Sequence, residues 1–355
     1  MARMTIMAGG TGGHVFPALV VAQEMRQRGW EVSWMGTPDS FESRTVPNYG
    51  FPLETIAAYR LRGQGLLGLL LAPFRLLKAM GQAGKILRRT RPQLVLGMGG
   101  FVTGPGGLVS RLLGIPLVIH EQNTIPGMTN RWLAKIAARV LEAFPRSFPK
   151  SVAALVTGNP VREEIAAVAA PEERMGDRDG AIRVLIVGGS LGALALNEQL
   201  PPALAKLGLP LDIRHQAGRG KAGDAAKHYP PELKAEVSEF IDDMAAAYAW
   251  ADLVVCRAGA LTVSELAAAG VASLLVPYPY AVDDHQTRNA GYLVEAGAAV
   301  LMPQSEMTPE ALVHTLQPLL GDRRKLLAMA KAARSLAMPE ATRTVADLCE
   351  AQVKP

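Results

Sequence analysis

Met4-Thr5-Ile6-Met7-Ala8 runs into Gly9-Gly10-Thr11-Gly12-Gly13-His14, and about half a chain later Val184-Leu185-Ile186-Val187 runs into Gly188-Gly189-Ser190-Leu191-Gly192. Each is a short apolar strand, a glycine-rich turn and then a helical pattern. In the first, Ala18, Leu19, Ala22 and Met25 share a helix face, Pro17 is expected in the first turn, and Gly29 can end the helix. In the second, the helix runs through Leu194 and Asn197. Two strand–glycine loop–helix openings in tandem predict two Rossmann-like α/β domains. Phe144-Pro145-Arg146-Ser147-Phe148-Pro149-Lys150 breaks the periodicity between them, and Gly158-Asn159-Pro160 punctuates again.

The second half alternates as a parallel sheet does. Leu253-Val254-Val255-Cys256 reads as a buried strand, Ala260 to Ala269 as a helix closed by Gly270, and Ser273-Leu274-Leu275-Val276 as the next strand, stopped by Pro277 and Pro279. The tail from Thr308 reads as helical. The charged, aperiodic stretch from Pro171 to Gly180 reads as a surface loop.

The 355 residues suit two domains, and the 49% of apolar residues suffices for two cores. The two cysteines, Cys256 and Cys349, lie far apart and outside any CxxC pair, which argues against a disulfide framework and for a reducing compartment. The N-terminal residues lead straight into a strand-like run without a secretory signal pattern, and no apolar run reaches the roughly 18 residues of a spanning helix. The chain is expected to be soluble or peripheral.

Net charge is +5, yet no acidic residue occurs between Glu54 and Glu121. Arg60, Arg62, Arg75, Lys78, Lys85, Arg88, Arg89, Arg91 and Arg111 give that stretch +9, against −4 for the rest. It also holds Leu66-Leu67-Gly68-Leu69-Leu70-Leu71 and Phe74. A basic field beside leucines suits an anionic membrane surface; the plainer alternative is a buried helix with a solvated basic flank. Nucleic acid is disfavoured, because no aromatic residues alternate with the basic ones.

A glycine-rich loop between a strand and a helix aims backbone N–H groups and the positive end of the helix dipole at one place, where phosphate binds. Neither opening completes GxGxxG, and no GxxxxGK[ST] occurs, which argues against dinucleotide dehydrogenases and P-loop enzymes. A third opening follows Cys256: Arg257-Ala258-Gly259-Ala260-Leu261-Thr262-Val263-Ser264-Glu265. Gly259 lets a helix start abruptly, its N–H groups can hold a diphosphate, and Glu265 about one turn in can accept from ribose hydroxyls. The competing reading is an exposed glutamate on an amphipathic helix. Asp177-Arg178-Asp179 spells a metal-binding DxD but lies away from any strand end, so no metal site is expected there.

These runs occur in order with Gly97-Met98-Gly99-Gly100-Phe101-Val102-Thr103-Gly104-Pro105-Gly106-Gly107, His120-Glu121-Gln122-Asn123, Gly158-Asn159-Pro160-Val161-Arg162 and Asp283-Asp284-His285-Gln286. Together they resemble the MurG family, whose members transfer N-acetylglucosamine in bacterial cell-wall synthesis. The resemblance spans essentially the whole chain. It implies the GT-B fold, two Rossmann-like domains facing across a cleft. It implies UDP-GlcNAc as donor, undecaprenyl-pyrophosphoryl-MurNAc-pentapeptide (lipid I) as acceptor, and an inverted β1→4 link in the product, lipid II. Residues 1–158 with 339–355 would form the acceptor and membrane-facing domain, and 159–338 the donor domain. Peripheral attachment to the cytoplasmic face of the inner membrane and a part in cell division follow, with cell-wall synthesis proteins as candidate partners.

By position, Thr11, Gly12, Gly13, Asn123, Arg162, Ser190, Ile241, the run Ala260, Leu261, Thr262, Val263, Ser264 and Glu265, and Gln286 match the family's donor-binding residues. Leu191 departs from a position that is often Gln. Transfer requires a base for the acceptor hydroxyl. His14 is the first candidate and Glu121 the second, while His14 as a loop or phosphate contact stays open. Helix N-termini and Arg162 can carry the charge of departing UDP without a cofactor or metal. Asp283, Asp284 and His285 could ligate a metal by residue type, but are expected instead to position sugar hydroxyls beside Gln286. Rival readings are another GT-B glycolipid glycosyltransferase, a non-hydrolysing UDP-GlcNAc 2-epimerase and a non-catalytic nucleotide-sugar-binding subunit.

Overall fold

The two glycine-rich openings each begin at the first strand of a separate parallel sheet. The structure is a computed structural model that describes residues 1–58, 66–176 and 178–353. Arg60, Arg62 and Asp177 lie outside the described residues, as do the side chains of Leu66, Leu67 and Leu69. The chain divides into one unit of Met1–Val161 with Glu340–Pro355 and another of Arg162–Pro339.

In the first unit, β1 (Arg3–Met7), β2 (Glu31–Gly36), β3 (Leu53–Thr55), β4 (Leu94–Gly97), β5 (Leu117–Glu121), β6 (Arg139–Glu142) and β7 (Leu155–Val156) form one sheet in the order β3-β2-β1-β4-β5-β6-β7. All pairs are parallel, with Ile6 opposite Trp34 on one side and Leu96 on the other. In the second, β8 (Ile182–Val187), β9 (Leu211–Gln216), β10 (Ala235–Ser238), β11 (Leu253–Cys256), β12 (Ala272–Leu275) and β13 (Ala299–Leu301) follow the order β10-β9-β8-β11-β12-β13, again all parallel. The strand order reverses between β1 and β4 in one unit and between β8 and β11 in the other. In open α/β sheets that reversal opens a crevice at the carboxyl ends of the strands, where ligands bind.

Both faces of each sheet are covered, so the strands read as apolar runs rather than as alternation. Leu94, Val95 and Leu96 are all fully buried, and so are Val184, Leu185 and Ile186. The helix Ala341–Glu350 packs on the first unit, with Val345, Ala346 and Cys349 fully buried in the cluster that holds Leu19, Val21 and Met25. Arg28 donates to Asp347 at 2.6 Å and to Glu350 at 2.8 Å, and the Trp30 indole N–H reaches Glu350 at 2.9 Å. Both cysteines are buried and free, and burial pushes each thiol up to about 12.

Two expectations need correction. The first helix, Gly12–Gln27, starts with Gly12 and Gly13 already helical, so Pro17 lies inside the helix and not in its first turn. The segment 171–180 lies at the surface but is not loop throughout. Pro171–Met175 is a short helix, and Arg174 reaches inward to the carbonyls of Ala269 (3.0 Å) and Gly270 (2.6 Å). Arg178 pairs at 2.6 Å with Asp252, whose side chain is fully buried. Charge patterning could not reveal this, because the partners are backbone carbonyls and a distant aspartate.

Candidate active site

The first unit's site is built from three loops at the carboxyl ends of β1, β4 and β5. Thr11 takes the extended N-cap conformation and accepts from the His14 and Val15 N–H groups, each at 3.1 Å. The opening turn of helix Gly12–Gln27 leaves its first N–H groups without carbonyl partners inside the helix, and Gly12 and Gly13 keep side chains out of their way. The loop after β4 lies directly on this turn. The Gly9 N–H donates to the Gly99 carbonyl at 3.2 Å, and a Cβ on Gly100 would fall 2.5 Å from the Gly9 oxygen.

Glu42, fully buried, braces the same loop from below. It accepts from the Gly10 N–H at 3.0 Å and from the Thr37 N–H and hydroxyl at 2.9 and 2.7 Å. Burial opposes its ionisation, but these hydrogen bonds prevail and hold its carboxyl below the ordinary value. A Cβ on Gly9 would meet the Glu42 carboxylate at 2.6 Å, so the glycine makes room for the brace. Glu42 escaped the sequence reading because one buried carboxylate on a short helix carries no pattern.

His14 extends from the first helical turn. Its Nδ1 lies 2.8 Å from Gln122 Oε1, and its ring packs so closely on Gly99 that a Cβ there would lie 2.6 Å from Nδ1. Gln122 continues to His120 Nδ1 at 3.1 Å, and His120 Nε2 to the Gly158 carbonyl at 3.0 Å. Burial pulls His120 down to about 4.

Glu121 is not placed to take a proton from an acceptor. It is 1% exposed, and each of its oxygens accepts two hydrogen bonds. Oε1 receives the Asn123 N–H (3.0 Å) and side-chain amide (3.1 Å); Oε2 receives the Gly127 N–H (3.0 Å) and the Asn130 amide (2.8 Å). The carboxylate ties down the turn after β5 and with it Asn123.

The second unit repeats the design. The loop after β8 is pinned by Gln216, which accepts from the Gly189 N–H at 2.9 Å and donates to the Gly189 carbonyl at 3.1 Å. Ser190 is exposed on that loop, and Leu191 is 83% exposed. Behind it, His215 bonds Asn197 Oδ1 at 3.0 Å and the Tyr229 hydroxyl at 2.9 Å, and burial pulls its imidazole down to about 4.

Across the strand reversal, Gly259 caps the helix Ala260–Ala269 in an extended conformation. Ala260, Leu261 and Thr262 form its first turn. Val263 is fully buried and gives its N–H to the Gly259 carbonyl at 2.9 Å, so it packs the core and offers nothing to a ligand. Ser264 bonds back to the Ala260 carbonyl at 3.0 Å. Glu265 is 8% exposed, which removes the amphipathic-surface reading. The Tyr248 hydroxyl donates to it at 3.1 Å, and Arg162 stands 3.5 Å away. Burial pushes the Glu265 carboxyl up, and Arg162 and Tyr248 pull it back. Gln286 accepts from the Tyr278 N–H at 2.8 Å and so shapes the turn after β12. Ile241 is half-buried just before the helix Met244–Trp250. Asp283 and Asp284 are exposed, both with φ near +50°, and Asp284 accepts from the Thr287 hydroxyl at 2.7 Å. Among the described residues no three or more His, Cys, Asp or Glu side chains gather as a metal site would require.

The glycosyltransferase family 28 N-terminal domain matches residues 4–142, and the family 28 C-terminal domain matches residues 183–345. A relative from Marinobacter nauticus, UDP-N-acetylglucosamine--N-acetylmuramyl-(pentapeptide) pyrophosphoryl-undecaprenol N-acetylglucosamine transferase, is 56% identical over 98% of this chain and 96% of its own length. The crystal structure of MurG from Acinetobacter baumannii superimposes with a TM-score of 0.88 at 45% identity, covering 99% of this chain and 100% of that one. A putative UDP-N-acetylglucosamine 2-epimerase from Listeria monocytogenes shares the fold alone, at TM-score 0.65 and 15% identity over 97% of this chain and 94% of that one.

Proposed function

This chain belongs to the MurG family of glycosyltransferases, and we propose that it transfers N-acetylglucosamine from UDP-GlcNAc to the 4-hydroxyl of MurNAc in lipid I, yielding lipid II for peptidoglycan synthesis. The observation that carries the donor half is the second unit's strand reversal. There a helix N-terminus, Ala260–Ala269, stands beside a nearly buried carboxylate, Glu265, already oriented by Arg162 and Tyr248. A diphosphate suits the helix end, and ribose hydroxyls suit a carboxylate that retains acceptor capacity. Ser190, Ile241 and Gln286 complete the second unit's donor site on this reading, and Thr11, Gly12, Gly13 and Asn123 are assigned to donor binding with them.

His14 takes the proton of the attacking hydroxyl. As the bond from C1 to the UDP oxygen breaks with inversion, negative charge develops on the diphosphate, and helix N–H groups and Arg162 stabilise it. No metal or cofactor enters these steps. The 1–158 and 339–355 portion serves the acceptor and the membrane, and the 159–338 portion the donor.

Attachment to an anionic membrane surface from the cytoplasmic side belongs to the same proposal. No helix among the described residues is long and apolar enough to cross a membrane. On the helix Leu66–Thr90, Leu70, Phe74 and Leu77 are 71%, 69% and 63% exposed, while Ala79, Ala83, Ile86 and Leu87 face the core. The exposure of these side chains from Leu70 onward supports the membrane reading over a buried helix with a basic flank. Leu112, Met128 and Trp132, at 70%, 69% and 65% exposure, add apolar surface on the same unit.

The test is incubation with labelled UDP-GlcNAc and a short-chain lipid I analogue. UDP release and a disaccharide product, both dependent on the acceptor, are expected. UDP-ManNAc formed without acceptor would make the chain an epimerase, transfer only to some other glycolipid would make it another glycosyltransferase, and binding without release would make it a binding subunit.

A further inference from the structure

The chain of contacts behind His14 determines which of its nitrogens carries a proton. It starts at a group with no ambiguity: the Gly158 carbonyl can only accept, so His120 Nε2, 3.0 Å away, must be the donor. His120 is fully buried, and burial keeps it neutral at neutral pH. Its Nδ1 therefore carries a lone pair. Gln122 Nε2 lies 3.1 Å from that lone pair and 3.2 Å from the His120 carbonyl, two acceptors for its two hydrogens. The amide can stand only one way round, with Oε1 toward His14 Nδ1 at 2.8 Å. An amide oxygen only accepts, so His14 Nδ1 must donate.

We propose that Gln122 and His120 are positioning residues that hold neutral His14 as its Nδ1–H tautomer, leaving the lone pair on Nε2 to receive the proton of the acceptor hydroxyl. A neutral imidazole in water prefers the opposite tautomer, with the proton on Nε2, and so would present no lone pair there. The partner of one ring nitrogen sets the state of the other, and this relay reverses the ordinary preference. The surroundings allow little slack. Gln122 is 1% exposed, the Asn159 amide donates to its backbone carbonyl at 3.2 Å, and the His14 ring rests against Gly99, whose φ of +100° and lack of a Cβ make room for it. The inference rests on the reading of His14 as the base, but the tautomer itself can be observed without turnover.

The experiment uses the full chain labelled with ¹⁵N-histidine and two-bond ¹H–¹⁵N correlation spectra, with His14 assigned by its loss in His14→Gln. Wild-type His14, when neutral, should show a protonated Nδ1 and an unprotonated Nε2. In Gln122→Met, which keeps length and apolar volume but accepts no such bond, His14 should shift toward Nε2–H. Its kcat should fall about 10-fold or more, the scale on which partners that orient an active imidazole act, with the KM for UDP-GlcNAc nearly unchanged. A wild-type His14 protonated on Nε2 overturns the proposal whatever the variant does. An unchanged kcat in a folded Gln122→Met, with or without a tautomer shift, overturns the catalytic consequence. If His14→Ala keeps full kcat, the base assignment fails instead, and the wild-type spectrum still decides whether the relay exists.

Discussion

Glu265 is held ready for the ligand contact proposed for it. Its carboxylate is nearly buried, and the Tyr248 hydroxyl and Arg162 orient it without using all its acceptor sites. Glu265→Ala is expected to raise the KM for UDP-GlcNAc more than it lowers kcat, at a cost of about 1.5–3 kcal/mol, the range for hydrogen bonds to a charged group. UDP and UMP should lose similar affinity, because the proposed contact is to ribose; an unchanged KM removes Glu265 from the site. His14 is proposed to act on the other substrate. His14→Ala should lower kcat about 10²-fold or more while leaving donor affinity nearly intact. Calorimetry showing lost UDP-GlcNAc affinity would make His14 a donor contact. Glu121 would not then inherit the base role, since four hydrogen bonds already occupy its carboxylate.

At the scale of elements, each unit places a buried histidine behind its candidate loops: His120 near the end of β5, and His215 near the end of β9. Burial pulls both from 6.5 to about 4, so both are neutral when folded and protonate more readily when unfolded. Their stabilisation is therefore fully present above about pH 6.5 and is lost as pH falls from there toward 4, by up to roughly 3 kcal/mol for each. Urea midpoints should drop through that window, and His215→Gln, which supplies a hydrogen-bonding amide but does not titrate, should make the drop shallower. A flat midpoint from pH 7 to 4.5 would refute this linkage.

The helix Leu66–Thr90 is divided between two roles along its length, core packing in its second half and exposed Leu70, Phe74 and Leu77 in its first. Reversing Arg75, Lys78 and Arg88 to Glu should weaken binding to anionic vesicles, at about 1 kcal/mol per lost cation near the surface. Wild-type binding should fall as salt rises, because screening shortens the field. Turnover of a water-soluble acceptor analogue should persist. Equal sedimentation of the variant and its parent would place the membrane face elsewhere.

At the scale of the whole chain, the last helix returns to the unit in which the chain began. Truncation after Met338 would strip Val345, Ala346 and Cys349 from a core they share with the helix Gly12–Gln27, and would remove Asp347 and Glu350 from Arg28 and Trp30. The loss should reach at least about 3 kcal/mol from apolar burial. It should appear as an earlier melting transition of the first unit, while the second, Arg162–Pro339, melts near its original temperature. A truncated chain with an unchanged first transition would show that the helix adds little.

The doubled strand–glycine loop–helix opening was legible in the residue order, because apolar runs, glycine turns and helical periodicity are local signals; Leu253–Cys256 and Ala260–Ala269 are found as read. The acid-free basic stretch was equally local. The candidate loops were legible too, since a glycine that admits a close backbone approach must stand at a definite place in the chain. Only the tertiary structure could decide how those loops are held. Glu42 under Gly9 and Gly10, the relay from Gly158 through His120 and Gln122 to His14, and Tyr248 on Glu265 all join residues with no sequence period between them. The same limit hid the four hydrogen bonds on Glu121, and the short helix and inward-reaching Arg174 and Arg178 in the stretch read as a surface loop. Whether a polar side chain is spent or spare depends on which distant donors the fold brings to it, and a hydrogen bond leaves no trace in the spacing of the residues it joins.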